Sequence, residues 1–309
     1  KGGGKKGGAQ RFGNLGMFAM LAHGSTANIR DAMTYKSDRT QDEVWTAIQT
    51  GNLLPSPKPS FAYEKFLAYL NSMGVNVEKE GNGLILSPMT DEQILDVSNG
   101  ELEAPTRVLR GKDLKPEKGG LFDEEVTGGP GGDKWSHIKL ADPIPNPLFE
   151  KAIRSLLGLK QKDFNDIMDG DKSLNDKGEV VSLEDSDNTG PKAIVDALAG
   201  VDVKKDLAQA KKDLTTARKA DLDKANKKVK YLEMLERNEL SASEAYVLEN
   251  LPVLPPIFRP ITAMEGGDLN IDGINLLYRD LSLINDKLKD AKAVLPDEEL
   301  AKPRGDLYD

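Results

Sequence analysis

The chain has 309 residues, a net charge of −9 and a sequence pI of about 5.0. An acidic chain is not an evident nucleic-acid binder, so such contacts would have to come from local basic segments. The absence of cysteine excludes disulfides and cysteine-ligated zinc, and no apolar run approaches the roughly 20 residues of a membrane span. Because no signal peptide is visible, we expect a cytoplasmic location. The first residue is Lys1 rather than methionine, so we expect a piece of a longer protein.

The first 39 residues carry a local positive charge. They begin KGGGKKGGAQRFG and hold seven Lys/Arg against two Asp, which gives a local charge of +5. Glycines let backbone amides approach a phosphate and the cations favour its binding, so this segment is a candidate for nucleic-acid contact. Two other interpretations stay open: a flexible linker, and a glycine turn packed against a neighbouring subunit.

The next elements are short and amphipathic. Residues 42–51 are predicted to form a helix whose apolar face includes Trp45 and Ile48. A second helix is predicted over residues 61–73, followed by a short strand over 74–78. The side chains expected to point inward from the second helix are Phe61, Phe66, Leu67 and Leu70.

The middle of the chain carries carboxylates without the pattern of a metal site. Residues 123–125 (Asp-Glu-Glu) are interpreted as a solvated cluster, and residues 168–190 as a solvated acidic loop. Residues 169–171 (Asp-Gly-Asp) begin like a calcium loop. However, Leu174 occupies the position that requires glycine and Val180 the one that requires glutamate, so calcium binding is not expected.

Residues 203–260 are the stretch around which the chain is organised. Apolar residues recur at steps of four and three over 203–217 and again over 222–235, a pattern that predicts two coiled-coil arms. The break at residues 218–221 favours an intrachain hairpin. Arms of this length are roughly 22 Å long, so we expect the hairpin to project from a larger body. The predicted seam comprises Val203, Leu207, Ala210, Leu214, Ala217, Leu222, Ala225, Val229, Leu232 and Leu235.

The predicted hairpin is basic on an acidic chain. Residues 203–230 hold ten Lys/Arg and four Asp, a local charge of +6. Such a projection is suited to steer an acidic partner, although a merely solvated helix face is the alternative. The candidate docking residues are Lys211, Lys212, Arg218, Lys219 and Asp221.

A proline-rich strap follows the hairpin. Residues 251–260 read LPVLPPIFRP, and four prolines in this stretch forbid a helix and predict an extended strand. Residues 265–267 (Glu-Gly-Gly) then form a turn, and a helix is predicted over 274–293 that contains residues 275–279 (NLLYR).

The order hairpin, LPVLPPIFRP, EGG and NLLYR resembles the β′ subunit of bacterial-type multi-subunit RNA polymerases. The resemblance implies that the predicted hairpin corresponds to the family's clamp helices, which dock the promoter-specificity (sigma) factor. The GG turn opens the lid that helps to separate RNA from template. Nearer the start, residues 10–13 (QRFG) and 34–38 (TYKSD) resemble the C-terminal part of the β subunit, whose glycine-rich loop lies near the upstream end of the RNA–DNA hybrid.

This resemblance divides the chain into four segments. Residues 1–80 resemble the β C-terminus, and 84–200 the start of β′. Residues 201–250 are the clamp-helix coiled coil, and 251–309 the strap, lid and following helix. The implied fold is mixed α/β, mostly α: a clamp core with a projecting antiparallel coiled-coil hairpin. A natural β–β′ fusion, as in some bacteria, killer plasmids and bacteriophages, and an engineered fusion both stay open.

The sequence departs from the family at three places. The family's four-cysteine zinc ribbon lies between segments that match residues 120–122 (GLF) and 137–141 (HIKLA), and here little more than GGPGG separates them. No zinc is therefore expected, and the trimming favours a phage or otherwise divergent polymerase. Residues 268–269 (Asp-Leu) replace the usual Arg-Phe of the lid. Aspartates on the last helix weaken the expectation of direct nucleic-acid contact: Asp280, Asp286 and Asp290.

The resemblance also implies which residues lie near nucleic acid. They fall in the basic N-terminal segment, the strap, the lid turn and the last helix. They are Lys5, Lys6, Gln10, Arg11, Arg259, Gly266, Gly267, Asn275, Tyr278 and Arg279.

The chain lacks the groups that catalyse phosphoryl transfer. Two-metal catalysis needs clustered carboxylates, and no Asp-x-Asp-x-Asp run or Walker-type loop occurs. His137 is interpreted as a structural hydrogen-bonding residue. We therefore expect a non-catalytic part of an RNA polymerase, inactive alone and without a cofactor. Mg²⁺ would belong to the complete enzyme, and the partners would be other subunits, a sigma-like factor, template DNA and nascent RNA. The alternative is a coiled-coil scaffold protein with no polymerase role.

Overall fold

The computed structural model describes residues 13–36, 41–54, 59–81, 83–103, 116–175, 178–184, 188–216, 218, 221–265 and 268–309. The chain divides into two units, residues 1–64 and residues 65–309, and each is described by itself.

The first unit is built from short helices. They are α1 (Asn14–Ala22), α2 (Thr26–Met33), α3 (Gln41–Thr50) and the beginning of α4 (Phe61–Ser72). The predicted helix over 42–51 is thus found as α3, yet Trp45 and Ile48 are more than half exposed. Of the apolar side chains described in this unit, only Ala47 is buried.

Helix α4 presents a different inward face from the predicted one. Ala68 is its buried residue, whereas Phe61 and Phe66 are exposed, so their predicted inward orientation is wrong. At 100° per residue, Phe66 lies about 200° around the helix from Ala68 and therefore points away from that face. Leu67 and Leu70 are partly buried, in keeping with the prediction.

The second unit begins with the hairpin of β1 (Val75–Glu80) and β2 (Gly83–Pro88) and the capped helix α5 (Asp91–Val97). A central antiparallel pair is formed by β3 (Ser136–Pro145) and β6 (Val247–Val253), whose register shifts between Lys139 and Ile144. The elements between these two strands are α6 (Glu150–Leu157), α7 (Gln161–Met168), β4 (Ser173–Leu174), β5 (Val180–Val181), α8 (Gly190–Ala199), α9 (Val203–Thr216), α10 (Leu222–Arg237) and α11 (Ala242–Tyr246).

The C-terminal part of this unit follows the central pair. A 3₁₀ turn over Pro256–Phe258 leads into the hairpin of β7 (Ile261–Ala263) and β8 (Leu269–Ile271). The long helix α12 (Gly273–Val294) and α13 (Ala301–Tyr308) complete it. The strap is therefore not extended throughout, because Pro256 starts a single 3₁₀ turn for which its missing N–H is not needed.

Three clusters of buried apolar residues hold the second unit together. The first joins α6, α7 and α8 to the base of α9–α10 and to α11. The second contains Leu121, Phe122, Ile138, Val253 and Tyr278, and the third lies between the central strand pair, α12 and α13. The predicted mixed α/β, mostly helical fold is confirmed.

The described parts of the acidic stretch 168–190 contain regular structure that was not predicted. Strands β4 and β5 pair within it, Ser173 is buried, and Leu174 packs in the first cluster. A wholly solvated loop was therefore the wrong interpretation. Of the helices that the structure describes, none is both long and apolar enough to cross a bilayer.

Candidate nucleic-acid and partner interface

Helices α9 and α10 pack on each other along the predicted seam. Toward the base most seam side chains are buried and Val203 is partly buried. Near the turn Leu214 and Ala225 are partly buried and Leu222 is 37% exposed. The packing therefore tightens toward the body of the unit and loosens toward the turn. The buried seam residues are Leu207, Ala210, Val229, Leu232 and Leu235.

The charged residues of this pair are mostly free of the body. Lys211 Nζ lies 3.0 Å from Glu233 Oε1 on the opposite helix, and both side chains are about half exposed. Such a pair contributes about 0–1 kcal/mol, so it leaves Lys211 available to a partner. Lys212, Arg218 and Asp221 are exposed, and the carbonyl of Arg218 accepts the N–H of Asp221 at 2.8 Å.

The strap is held against a glycine-rich loop over residues 128–132. The N–H of Ile257 donates to the carbonyl of Gly132 at 2.9 Å. A Cβ on Gly132 would lie 1.9 Å from the carbonyl oxygen of Thr127, so only glycine fits there. The glycine-rich loop around Gly132 is thus a packed contact of the strap.

Arg259 of the strap lies in the interior. Its side chain is fully buried, and the guanidinium stands over the rings of Phe122 and Tyr278, with its central carbon 4.8 and 5.8 Å from their centroids. Its Nε donates to Leu254 O at 2.5 Å, Nη1 to Asn275 Oδ1 at 2.9 Å and Nη2 to Leu121 O at 2.6 Å. Burial lowers the pKa of Arg259 to about 10, so the group is charged at neutral pH.

The matching residues of α12 face the same interior. Asn275 Nδ2 returns a hydrogen bond to Arg259 O at 3.0 Å, and the hydroxyl of Tyr278 accepts the N–H of Leu254 at 3.1 Å. Burial raises the pKa of Tyr278. Arg279 is partly exposed and bonds Asp280 Oδ1 through Nε and Nη2 at 2.8 and 2.6 Å.

The structure therefore brings together Arg259, Asn275 and Tyr278, but as a buried cluster rather than an open face. Their predicted proximity to nucleic acid stays a prediction. Seven predicted site residues and the predicted seam residue Ala217 lie outside the described part of the chain. The seven are Lys5, Lys6, Gln10, Arg11, Lys219, Gly266 and Gly267.

Asp123 has a role that the sequence interpretation missed. It is buried rather than solvated, and it accepts N–H groups from Gly119 at 2.6 Å, Glu125 at 2.7 Å and Val126 at 3.0 Å. Burial alone would raise the pKa of Asp123, but these three bonds hold it below its usual value. The sequence Asp-Glu-Glu is typical of a solvated cluster. The only signal of a structural role was the neighbouring glycines, which are typical of a tight loop whose backbone N–H groups one carboxylate can accept.

His137 has the hydrogen-bonding role that was predicted for it. Its Nδ1 lies 2.8 Å from Ser98 Oγ, and its backbone N–H donates to Gly100 O at 3.1 Å. Burial lowers the pKa of His137. Among the described residues, no group of three or more His, Asp or Glu side chains is placed to hold a metal ion.

The curated proteins similar to this chain include β′ subunits of DNA-directed RNA polymerase. That of Lactobacillus delbrueckii subsp. bulgaricus is 27% identical over an alignment of 249 residues, and the match covers 62% of this chain and 20% of the relative. Those of Limosilactobacillus reuteri and Ligilactobacillus salivarius are each 27% identical, over 257 and 259 residues, and cover 64% and 65% of this chain. Part of this chain is related to the bacterial β′ subunit.

The relationship is partial in both directions. The chain spans about a fifth of the length of the curated β′ relatives it matches. No protein-family model matches it.

Proposed function

We propose that the chain is a non-catalytic part of a multi-subunit DNA-directed RNA polymerase and forms a clamp module beside template DNA and nascent RNA. The observation that carries the proposal is the sequence relationship to bacterial β′ subunits. The buried contacts of the strap support it, because the LPVLPPIFRP motif and the NLLYR face interlock through Arg259 and Asn275. Mg²⁺ would be held by the rest of the enzyme.

The proposal includes a separate origin for each of two parts of the chain. We take residues 1–80 as derived from β and residues 84–309 as derived from β′, joined in one chain of phage or otherwise divergent origin. The shortness of the loop around Gly132 supports a trimmed polymerase. The cell of action would be bacterial, including one infected by a phage.

The test of the proposal is purification of the complete complex. A tag on this chain should recover the other polymerase subunits from its native cells. The recovered complex should synthesise RNA on a DNA template with Mg²⁺, while the 309-residue chain alone should not. Recovery of the chain without any nucleotidyltransferase activity would reject the assignment.

The finer proposal is that the α9–α10 pair docks a sigma-like specificity factor through Lys211, Lys212, Arg218, Lys219 and Asp221. Its support is the local charge of +6 and the exposure of Lys212 and Arg218. Cations on an exposed element steer an acidic partner and hold it in register.

Charge reversal tests the docking site. The double variant Arg218→Glu/Lys219→Glu should fold normally, because Arg218 is exposed and surface substitutions change stability by about 0.5 kcal/mol or less. It should weaken factor binding at low salt and reduce promoter-dependent transcription, while elongation from a pre-formed bubble persists. The matched control is Lys151→Glu/Lys162→Glu, which changes the net charge equally at exposed positions outside the hairpin. Equal factor binding by the docking variant and its parent would exclude this site.

The outer face of α12 is a second candidate for the same partner. Leu276, Leu277 and Leu283 are exposed there, Leu277 by 68% of its surface. Exposed apolar side chains on one helix are typical of a docking face. If Leu277→Lys abolishes factor binding while the charge reversals on α9–α10 do not, the docking site belongs to α12.

The scaffold hypothesis predicts a different behaviour. A dimerising coiled coil would give a dimer in size-exclusion chromatography at low concentration, and deletion of residues 203–235 would abolish it. The burial of the seam between two helices of one chain favours the intrachain hairpin instead.

A further inference from the structure

The β7–β8 hairpin is supported at its root. Ile261 and Ile271 pair across the two strands and pack against the second core cluster. Farther out, Met264 is 57% exposed, and its N–H donates to Asp268 O at 2.7 Å. A lone two-stranded hairpin is at best marginally stable in water, so its order and direction depend on what holds the root.

The segments directly before and after this hairpin are hydrogen-bonded to each other. The N–H of Asp272 donates to Pro260 O at 3.3 Å. Farther from the hairpin, Arg259 lies one residue before Pro260 and Asn275 three residues after Asp272, and these two residues exchange hydrogen bonds of 2.9 and 3.0 Å. The side-chain amide of Asn275 is fully buried, so both bonds are shielded from water.

The same guanidinium ties this root to two more segments. Its other two bonds reach Leu121 O, in the loop before β3, and Leu254 O, directly after β6. In the described part of the chain no carboxylate pairs with Arg259, and its charge is compensated by carbonyl and amide dipoles and by two ring faces. These hydrogen bonds depend on the shape of the guanidinium group, because only a planar group with several N–H donors reaches all three acceptors.

We propose that Arg259 is a positioning residue that fixes the direction of the β7–β8 hairpin by joining its root to the loop at Leu121 and to Leu254 directly after β6. Loss of the guanidinium group would free the hairpin while leaving the rest of the unit folded. This inference concerns the hairpin alone and holds whether or not the chain acts in transcription.

Hydrogen exchange measured by mass spectrometry on the full chain tests the proposal. Arg259→Lys keeps the charge but can satisfy only part of the acceptor set, and it should accelerate exchange in peptides covering residues 261–271 by about tenfold, or about 1.4 kcal/mol. Peptides from β3 should keep their parental rates. Arg279→Lys is the matched control, because this arginine lies on α12 and bonds only the neighbouring Asp280 among the described residues.

A second variant covers the case in which Arg259→Lys does not fold. Asn275→Ala removes the hairpin-side partner and leaves the bonds to Leu121 O and Leu254 O possible, so it should accelerate the same peptides. Unchanged exchange over 261–271 would overturn the proposal. So would a uniform acceleration in every peptide, because that result would mean a general loss of stability.

Discussion

One buried side chain, Asn285, completes the central strand pair where its register shifts. Between Lys139 and Ile144 the ladder of β3 with β6 is interrupted. Asn285 of α12 accepts the N–H of Ala141 at 2.7 Å and donates to Lys139 O at 2.9 Å. A primary amide offers one acceptor and a donor side by side, so it replaces the missing strand at this bulge.

Removing that amide should be costly. Asn285→Leu leaves the N–H of Ala141 and the carbonyl of Lys139 without their side-chain partner, and an unpaired polar group that water does not reach costs about 1–3 kcal/mol. We expect a lower free energy of unfolding in urea by about 2–4 kcal/mol. Lys289→Ala, an exposed change on the same helix, should stay within about 0.5 kcal/mol of the parent. Equal stability of Asn285→Leu and the parent would show that water satisfies the bulge.

At the scale of elements, the burial of the α9–α10 seam differs between its base and its turn. Leu232 is fully buried in the first core cluster, where the pair meets α6, while Leu222 near the turn is 37% exposed. The base of the pair therefore belongs to the body of the unit, and only its distal part is free to meet a partner.

Truncation of two seam leucines should reveal this difference in burial. Leu232→Ala creates a cavity in a closed cluster and should lower stability by about 2–5 kcal/mol. Leu222→Ala is the same chemical change at the exposed end of the seam and should cost about 1 kcal/mol or less. Thermal and urea unfolding of both variants would measure the difference. Similar losses for the two would mean that the seam is packed uniformly along its length.

The seam was predictable because its signal is local. The steps from Leu207 to Ala210 and from Val229 to Leu232 are spacings within one helix, and they need no knowledge of the rest of the fold. The same holds for the helix α12. The mixed α/β, mostly helical class of the fold was implied by the resemblance to the polymerase family, because local patterns give single elements and not their assembly.

The cluster around Arg259 was not predictable in this way. A cation after a run of prolines suggests an exposed residue, whereas its acceptors come from Leu121, Leu254 and Asn275, the first of them 138 positions away. Asp123 was misjudged for a related reason, since its burial depends on the fold of a glycine-rich loop. Sequence periodicity predicts which face of a helix or strand is apolar. It cannot predict which polar side chain becomes buried against a segment that is distant in sequence.

At the scale of the second unit, a chain of ion pairs connects elements far apart in sequence. Arg304 of α13 is buried, and its Nε lies 2.6 Å from Asp142 Oδ2. Its Nη2 pairs with Asp297, which Lys192 of α8 also contacts, and Lys292 of α12 pairs with Asp142. Four elements, α8, β3, α12 and α13, are thus joined through alternating charges.

This network should make stability depend on pH in the acid range. Hydrogen bonds from Lys192 and Arg304 lower the pKa of Asp297 to about 2. A carboxyl whose pKa is lowered on folding stabilises the protein above its unfolded value of about 3.9, and this stabilisation is lost as pH falls toward 2. The stability difference between the parent and Asp297→Asn should therefore be constant from pH 7 to about 5 and should shrink below pH 4. Chemical unfolding at a series of pH values measures it, and a difference that persists at pH 2 would show that charge is not its source.

The β1–β2 hairpin has a consequence for assembly. Glu80 pairs with Gly83, so the two strands are joined by the shortest kind of connection, and six positions on each strand are matched. Pairing within one chain proceeds at an effective concentration in the millimolar range and is insensitive to dilution. Whatever the origin of the flanking segments, their stoichiometry is fixed at one to one by the covalent turn.

Proteolytic cleavage between Glu80 and Gly83 would make the association of the two segments bimolecular. The fragments should co-elute in size-exclusion chromatography when concentrated and separate on dilution. Free separation at every concentration would mean that residues 65–80 contribute little to holding the pieces together.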